Sequence, residues 1–222
     1  MTLRPYRPDD RSALYRICLA TGDAGEDATG LYQDPQLLGH RYAAPYAEHE
    51  PELCFVLEDE GGVCGYVLGT ADSAAFYDWF DASWAPPLRA RYPRPAGARS
   101  GWTPDERMIA TLYETPQMPA SLARYPAHLH IDLLGRAQGR GHGRRLMARF
   151  LAALRGRGVP GVHLGTGAGN ARALGFYRRL GFEELERSGG GVTFGMILDG
   201  VDSDKTGLDA RGLKPAPEGT KG

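Results

Sequence analysis

The chain has 222 residues, 26 basic and 27 acidic side chains, a net charge of −1 and a hydrophobic share of 42%. That length and apolar content support one sizeable core, or two small ones. The even charge balance excludes the basic field of a nucleic-acid binder, and three scattered cysteines, Cys18, Cys54 and Cys64, exclude a CxxC redox or zinc motif.

From the amino end, MTLRPYRPDD carries no apolar run, and no later segment approaches a membrane span. A soluble, cytoplasmic protein without membrane or nucleic-acid partners is therefore expected. Thr2–Arg4 reads as a short strand. Asp9 or Asp10 is placed to cap a helix over Arg11–Ala20, where Ala13, Leu14, Ile17 and Cys18 recur at helical spacing. Residues 21–34 read as a Gly/Asp-rich loop, whose acids at 23–27 serve either a cationic acceptor or solubility alone. Pro35 fits the first turn of a second helix, Gln36–Tyr46, whole or broken. CFVLED (54–59) and VCGYVLGT (63–70) are strand-like and joined by Glu60-Gly61-Gly62, a hairpin signature.

Residues 71–127 hold all three tryptophans, Trp79, Trp84 and Trp102, with helical patches at Ala74–Phe80 and Pro104–Tyr113. This stretch is too short for its own core and is expected to be a helical insert capping the acceptor side of one domain spanning 1–199. Its aromatics, with Tyr77 and Tyr92, either line an acceptor pocket or fasten the cap to the sheet. HLHIDLL (128–134) is a strand with His128, His130 and Asp132 on the face opposite its apolar side. Leu146, Met147, Phe150, Leu151 and Leu154 form one helical stripe that Gly156 and Gly158 end. GVHLGT (161–166) is a further strand, Asn170 caps a helix ended by Gly181, and Phe182–Glu186 with Val192–Leu198 close a hairpin. Residues 200–222 have few large apolar side chains and are expected to be disordered. The fold class is α/β: a mixed, mostly antiparallel central sheet flanked by helices, with the insert between the third and fourth strands.

Between the strand at 128–134 and the next helix lies Gln138-Gly139-Arg140-Gly141-His142-Gly143. Glycines bring backbone N–H groups together without side chains in the way, and the helix start adds unpaired N–H groups and partial positive charge. Such a site binds phosphate. A dinucleotide fingerprint fails, because the third glycine comes one residue early and no acidic residue closes a second strand; a GK[ST] loop is absent.

The Q-x-x-G-x-G spacing at 138–143 resembles the pyrophosphate signature of the GNAT acyltransferase superfamily. NARALGFYRRLGF at 170–182 resembles that superfamily's second cofactor segment, in the expected order. YRIC (15–18), CFVLEDEGGVCGYVLGT (54–70), SLARYPAHLHIDL (121–133) and FYRRLGF (176–182) are further similar to the C-terminal acetyltransferase-like domain of animal O-GlcNAcase, over roughly residues 1–198. That domain departs from the GNAT pattern in its pyrophosphate loop, whereas this chain keeps the full loop. No sugar hydrolysis is expected, since the glycosidase part is absent.

The resemblance implies a GNAT-type fold and direct acetyl transfer from acetyl-CoA to an amine, which is a small molecule or a protein lysine. It implies phosphate contacts from Gln138, Gly139, Arg140, Gly141, His142, Gly143 and Arg144. A pantetheine arm lies beside Ile131, Leu133 and Leu134, with the Leu133 N–H near the developing oxyanion. Further cofactor contacts come from Asn170, Ala173, Phe176 and Tyr177. Tyr177 serves the leaving thiolate. Asp132 is preferred over His130 as base, because it matches an aspartate retained in the O-GlcNAcase-like domain. No metal is required. The competing expectation is a cofactor-binding but weak or inactive interaction module, and both a monomer and a homodimer fit.

Overall fold

A computed structural model describes residues 1–198; the expectation of disorder over 200–222 lies outside the described residues. A seven-stranded sheet runs in the order β1-β2-β3-β4-β5-β7-β6. The edge strand β1 (Thr2–Pro5) leads to α1 (Arg11–Ala20), then α2 (Leu37–Tyr42) and α3 (Ala44–His49). The hairpin of β2 (Phe55–Asp59) and β3 (Gly62–Thr70) follows, turning through Gly62 at φ +86°. The insert carries α4 (Ser73–Trp79), a π-helical turn Phe80–Trp84, α5 (Ala85–Arg91) and α6 (Pro104–Thr111). Then come β4 (Ala127–Leu133), α7 (His142–Gly156), β5 (Gly161–Gly167), α8 (Ala171–Arg179), β6 (Glu183–Ser188) and β7 (Gly191–Ile197).

Two apolar layers sandwich the sheet. On one face the α7 stripe, Leu146 to Leu154, packs with Leu129, Val162 and Phe194. On the other, Leu14 and Ile17 of α1 and Tyr46 of α3 pack with Tyr66, Leu68, Phe76 and Phe80.

Three expectations are corrected. Asp10 does not cap α1: its carboxylate accepts from the two terminal Arg4 guanidinium nitrogens at 2.7 and 2.8 Å and from the Arg7 N–H at 2.8 Å, tying β1 to the next turn. The second helix takes the broken form of the expectation, divided at Ala43 ahead of Pro45, but Pro35 stands before its first turn and not in it. Residues 85–91, to which the sequence assigned no element, form a helix despite Pro86 and Pro87, because the first turn has no need of those N–H groups. The polar face of β4 is covered too. His128 is buried, with Nε2 2.7 Å from the Tyr46 hydroxyl and Nδ1 2.7 Å from Ser73 Oγ.

All sheet pairings are antiparallel except β4–β5, and that one joins only Ala127 to Val162 and His128 to His163. Beyond those two pairs the strands diverge, and this divergence positions the site.

Candidate functional site

The diverging halves of β4 and β5, the glycine loop and α8 enclose a cavity of about 630 Å³. Its β4 wall presents backbone. Antiparallel pairing alternates which residues bond a given neighbour. The Leu134 N–H donates to Cys64 O at 2.9 Å, so the even-numbered positions of β4 serve β3. The N–H and C=O groups of Leu129, Ile131 and Leu133 therefore turn toward the side β5 has vacated. Leu134, expected beside the ligand, does not join them, since its N–H is spent on β3 and it stands outside the cavity lining.

The loop glycines do different jobs. Gly139 and Gly141 have φ of +73° and +77°, with open space where a Cβ would stand, so conformation selects glycine there. Gly143 has no such φ. A Cβ there would lie 3.3 Å from the Phe176 ring, so spacing selects glycine and lets the start of α7 approach α8. Gly141 is the N-cap of α7, and the first-turn N–H groups face the cavity lined by Gly139, Gly141, His142, Gly143 and Arg144. Arg140 is exposed and outside that lining.

Gln138 spans three elements: Nε2 donates to Leu133 O at 2.6 Å and Oε1 accepts from Arg172. It holds the loop against the strand end and α8. On α8, Asn170 Oδ1 caps the Ala173 N–H at 3.0 Å, while Nδ2 donates to Ala24 O at 2.7 Å. Ala24 has a left-handed φ of +51°, and a Cβ on Gly25 would lie 2.9 Å from Arg172 Nη2. The 21–30 loop thus reaches across to α8, and Thr21 and Gly25 line the cavity. Asn170→Ala removes the cap oxygen and is expected to cost about 1 kcal/mol, read as a lower urea midpoint. Asn170→Asp keeps that oxygen and should retain most of the stability while releasing Ala24.

Tyr177 is buried among Phe176, Phe182 and Phe194 and lines the cavity. Burial, with the Asp132 charge second, pushes its phenol well above the ordinary range. Asp132 lines the same cavity and accepts the Tyr66 hydroxyl at 2.7 Å. Burial lifts its carboxyl to about 6, against opposing hydrogen bonds from Tyr66 and Thr21. His130 lines the cavity as well, with Nε2 3.0 Å from the Tyr46 hydroxyl; burial and then Arg41 push its imidazole down to about 4. His128, His130 and Asp132, alternate residues on one face of β4, thus spend their side chains on Tyr46, Ser73 and Tyr66.

The structure brings Ile131, Asp132, Leu133, Gln138, Gly139, Gly141, His142, Gly143, Arg144, Asn170, Ala173, Phe176 and Tyr177 to one cavity. The sequence reading missed Arg172, Arg179, Thr21 and Thr166, which also line it. Arg172 had a signal, standing two residues after Asn170 in the same motif; Thr21 had none. The insert aromatics are elsewhere. Tyr77 stacks on His128 with centroids 5.3 Å apart, Trp84 Nε1 donates to His40 O at 2.9 Å, and the Tyr92 hydroxyl donates to Asp34 at 2.8 Å.

A mixed sheet splayed beside a glycine-rich helix start offers a free strand edge next to a phosphate-binding loop. Residues 25–182 match the acetyltransferase (GNAT) family. The chain belongs to that family and is a GNAT-class acyltransferase. Among curated relatives it is 31% identical over 192 residues to protein O-GlcNAcase of Rattus norvegicus and 30% identical over 190 residues to that of Mus musculus. Each match takes in 85% of this chain but 21% of the relative, so the chain spans about a fifth of their length. Among solved structures, SsHAT is 47% identical with a TM-score of 0.84, covering 89% of this chain and 98% of its own. PH1933 from Pyrococcus horikoshii OT3 shares the fold at 14% identity and a TM-score of 0.57, covering 88% and 97%. Among the described residues no helix is long and apolar enough to cross a membrane.

Proposed function

We propose that the protein transfers an acetyl group from acetyl-CoA to an amine, in the cavity between β4 and β5. The observation that carries this is the two-residue β4–β5 pairing, which leaves the Leu129–Leu133 edge free directly before a glycine loop. An extended, amide-bearing arm that ends in phosphates fits that edge and loop. Arg144, Arg172 and Arg179 at the lining add positive charge.

When bound, acetyl-CoA supplies an acyl thioester. The free N–H groups of Ile131 and Leu133 would hold its arm, and Leu133 N–H, whose own C=O is held by Gln138, would be the donor for a developing oxyanion. Asp132, ionised above about pH 6, takes a proton from the attacking nitrogen. Tyr177, which keeps its proton at neutral pH, would donate a hydrogen bond to the leaving sulfur. The proton on Asp132 would pass to solvent and the thiolate would take one from solvent, so that the net transfer moves one proton from nitrogen to sulfur.

Thermal denaturation with acetyl-CoA, CoA and ADP, comparing wild type with Gly141→Trp, tests the reading. Acetyl-CoA at about a hundred times its dissociation constant should add about 2.7 kcal/mol. Gly141→Trp should abolish that gain, because it puts an indole in the loop and forces a left-handed φ on a bulky residue. Stabilisation by ADP equal to that by acetyl-CoA would mean a nucleotide site that ignores the strand edge. No effect of any ligand would leave an interaction module as the better reading.

A further inference from the structure

We propose that His130 is a specificity-determining residue of the acceptor subsite: its Nδ1 lone pair, held as a hydrogen-bond acceptor by a one-way relay through Tyr46, His128 and Ser73, receives an N–H of the incoming amine beside Asp132. The inference rests on the cavity being the acetyl-transfer site, while the relay itself stands on geometry alone.

The relay is anchored on a group with no proton to give. Pro126 O lies 2.6 Å from Ser73 Oγ. A carbonyl only accepts, so the serine hydroxyl proton points at it; turned away, two lone-pair-bearing oxygens would face each other at that distance. Ser73 Oγ is then an acceptor toward His128 Nδ1, 2.7 Å away, and His128 carries its proton on Nδ1. His128 is buried, and that burial, with His130, His163 and Arg41 nearby, holds its imidazole neutral, with one proton only. Its Nε2 is therefore a bare acceptor and takes the Tyr46 hydroxyl proton across 2.7 Å. Tyr46, fully buried and far from ionising, has no second proton. Its oxygen accepts at 3.0 Å from His130, so His130 carries its proton on Nε2.

Every bond thus points the same way, from His130 to Pro126, and each polarises the next. The consequence falls on the far nitrogen of His130. Nδ1 has no proton and no protein partner among the described residues. It is not sealed in either: the buried side-chain atoms without a partner there are His40 Nε2 and Arg41 Nη1. His130 lines the cavity. Burial first, and then Arg41 and His163, lower its basicity and keep this lone pair unprotonated at neutral pH.

Asp132 lies two residues along the same face of β4, about 6.5 Å away by strand geometry. A nitrogen held between them needs two N–H groups, one for each acceptor. A primary amine has them; a tertiary amine does not. Asp132 remains the proton acceptor and His130 only receives a hydrogen bond, so the proton balance of the transfer is unchanged.

Long-range 1H–15N spectra of the labelled protein test this without any turnover. The expected result is opposite tautomers on neighbouring strand positions: His128 protonated on Nδ1 and His130 on Nε2. His130 protonated on Nδ1, or a mixture in the wild type, overturns the relay. Tyr46→Phe should release His130 to a mixture of tautomers. Ser73→Ala, a smaller cut, should do so through His128 even if Tyr46→Phe fails to fold; retention of pure tautomers in Ser73→Ala would show that the relay sets nothing. With CoA present, ethylamine, glucosamine and a lysine-containing peptide are added in turn, with tetraethylammonium, which has no N–H, as control. The His130 Nδ1 resonance should move with at least one primary amine and not with tetraethylammonium. A shift with none of them, or an equal shift with tetraethylammonium, overturns the contact. His130→Gln should raise KM for the responding amine about tenfold, the value of one hydrogen bond, with CoA affinity unchanged. If CoA leaves the Gly139 and Gly141 amide resonances unmoved, the transfer reading itself fails, whatever the tautomers show.

Discussion

Asp132→Asn is expected to lower kcat for acetyl transfer about 10²- to 10⁴-fold, the usual contribution of a positioned general base. The variant is nearly isosteric and can still accept the Tyr66 hydroxyl, so binding of CoA should survive. The pH profile carries the sharper signature. Activity of the wild type should rise with pH through about 6, as the buried carboxyl ionises. Tyr66→Phe removes a hydrogen bond that favours the ionised form, so it should move that limb to higher pH. Stability should move the opposite way. The folded carboxyl holds its proton more tightly than the unfolded one, ordinarily near 3.8. The contribution of this group to folding stability therefore falls as pH rises from about 4 to about 6, against the opposite trend from His40, His128 and His130, whose imidazoles burial pushes down. One carboxylate thus favours activity and opposes stability over the same interval, so Asp132→Asn should erase the activity limb and make stability rise more steeply with pH between about 4 and 6 than in the wild type. An activity limb that persists in the variant would move the base elsewhere.

Gly69→Ala should destabilise the fold by about 3 kcal/mol, the upper end of ordinary overpacking. A Cβ at Gly69 would stand 2.4 Å from His128 O and 2.4 Å from Phe150 Cζ. One neighbour is the backbone of β4 and the other is the fully buried ring at the centre of the α7 stripe, so neither yields cheaply. Gly141→Ala is the comparison. Its Cβ meets nothing, and the cost is only that of a left-handed φ, about 1–2 kcal/mol. Combining Gly69→Ala with Phe150→Leu should recover part of the loss, because it frees the ring contact and leaves the carbonyl. Urea midpoints for these variants check the ranking; equal costs at the two glycines would contradict the packing argument.

These two glycines also mark where sequence reading stops. The loop at 138–143 was legible because its glycines are grouped before a helical stripe, a local pattern with a local cause. Gly69 is an isolated glycine in a strand, and the reason for it, Phe150, is 81 residues away in the chain. The same divide runs through the site. The Asn170 cap was legible because capping involves near neighbours, whereas Asp10 looked like a cap and is claimed by Arg4. Alternation along β4 grouped His128, His130 and Asp132 on one face, yet it gave no warning that Tyr46, Ser73 and Tyr66 cover that face.

Periodicity and turn chemistry are properties of consecutive residues, so the order of elements, the α7 stripe, the glycine loop and the Tyr177 motif are contained in the chain itself. Which edge of β4 is left free, why Leu133 faces the cavity and Leu134 does not, and which way the protons of the histidine relay point depend on groups that meet only after folding. Hydrogen-bond direction is set by the last acceptor in a series, and here that acceptor is Pro126 O, reached through residues 46, 73 and 128 that only the folded sheet brings together.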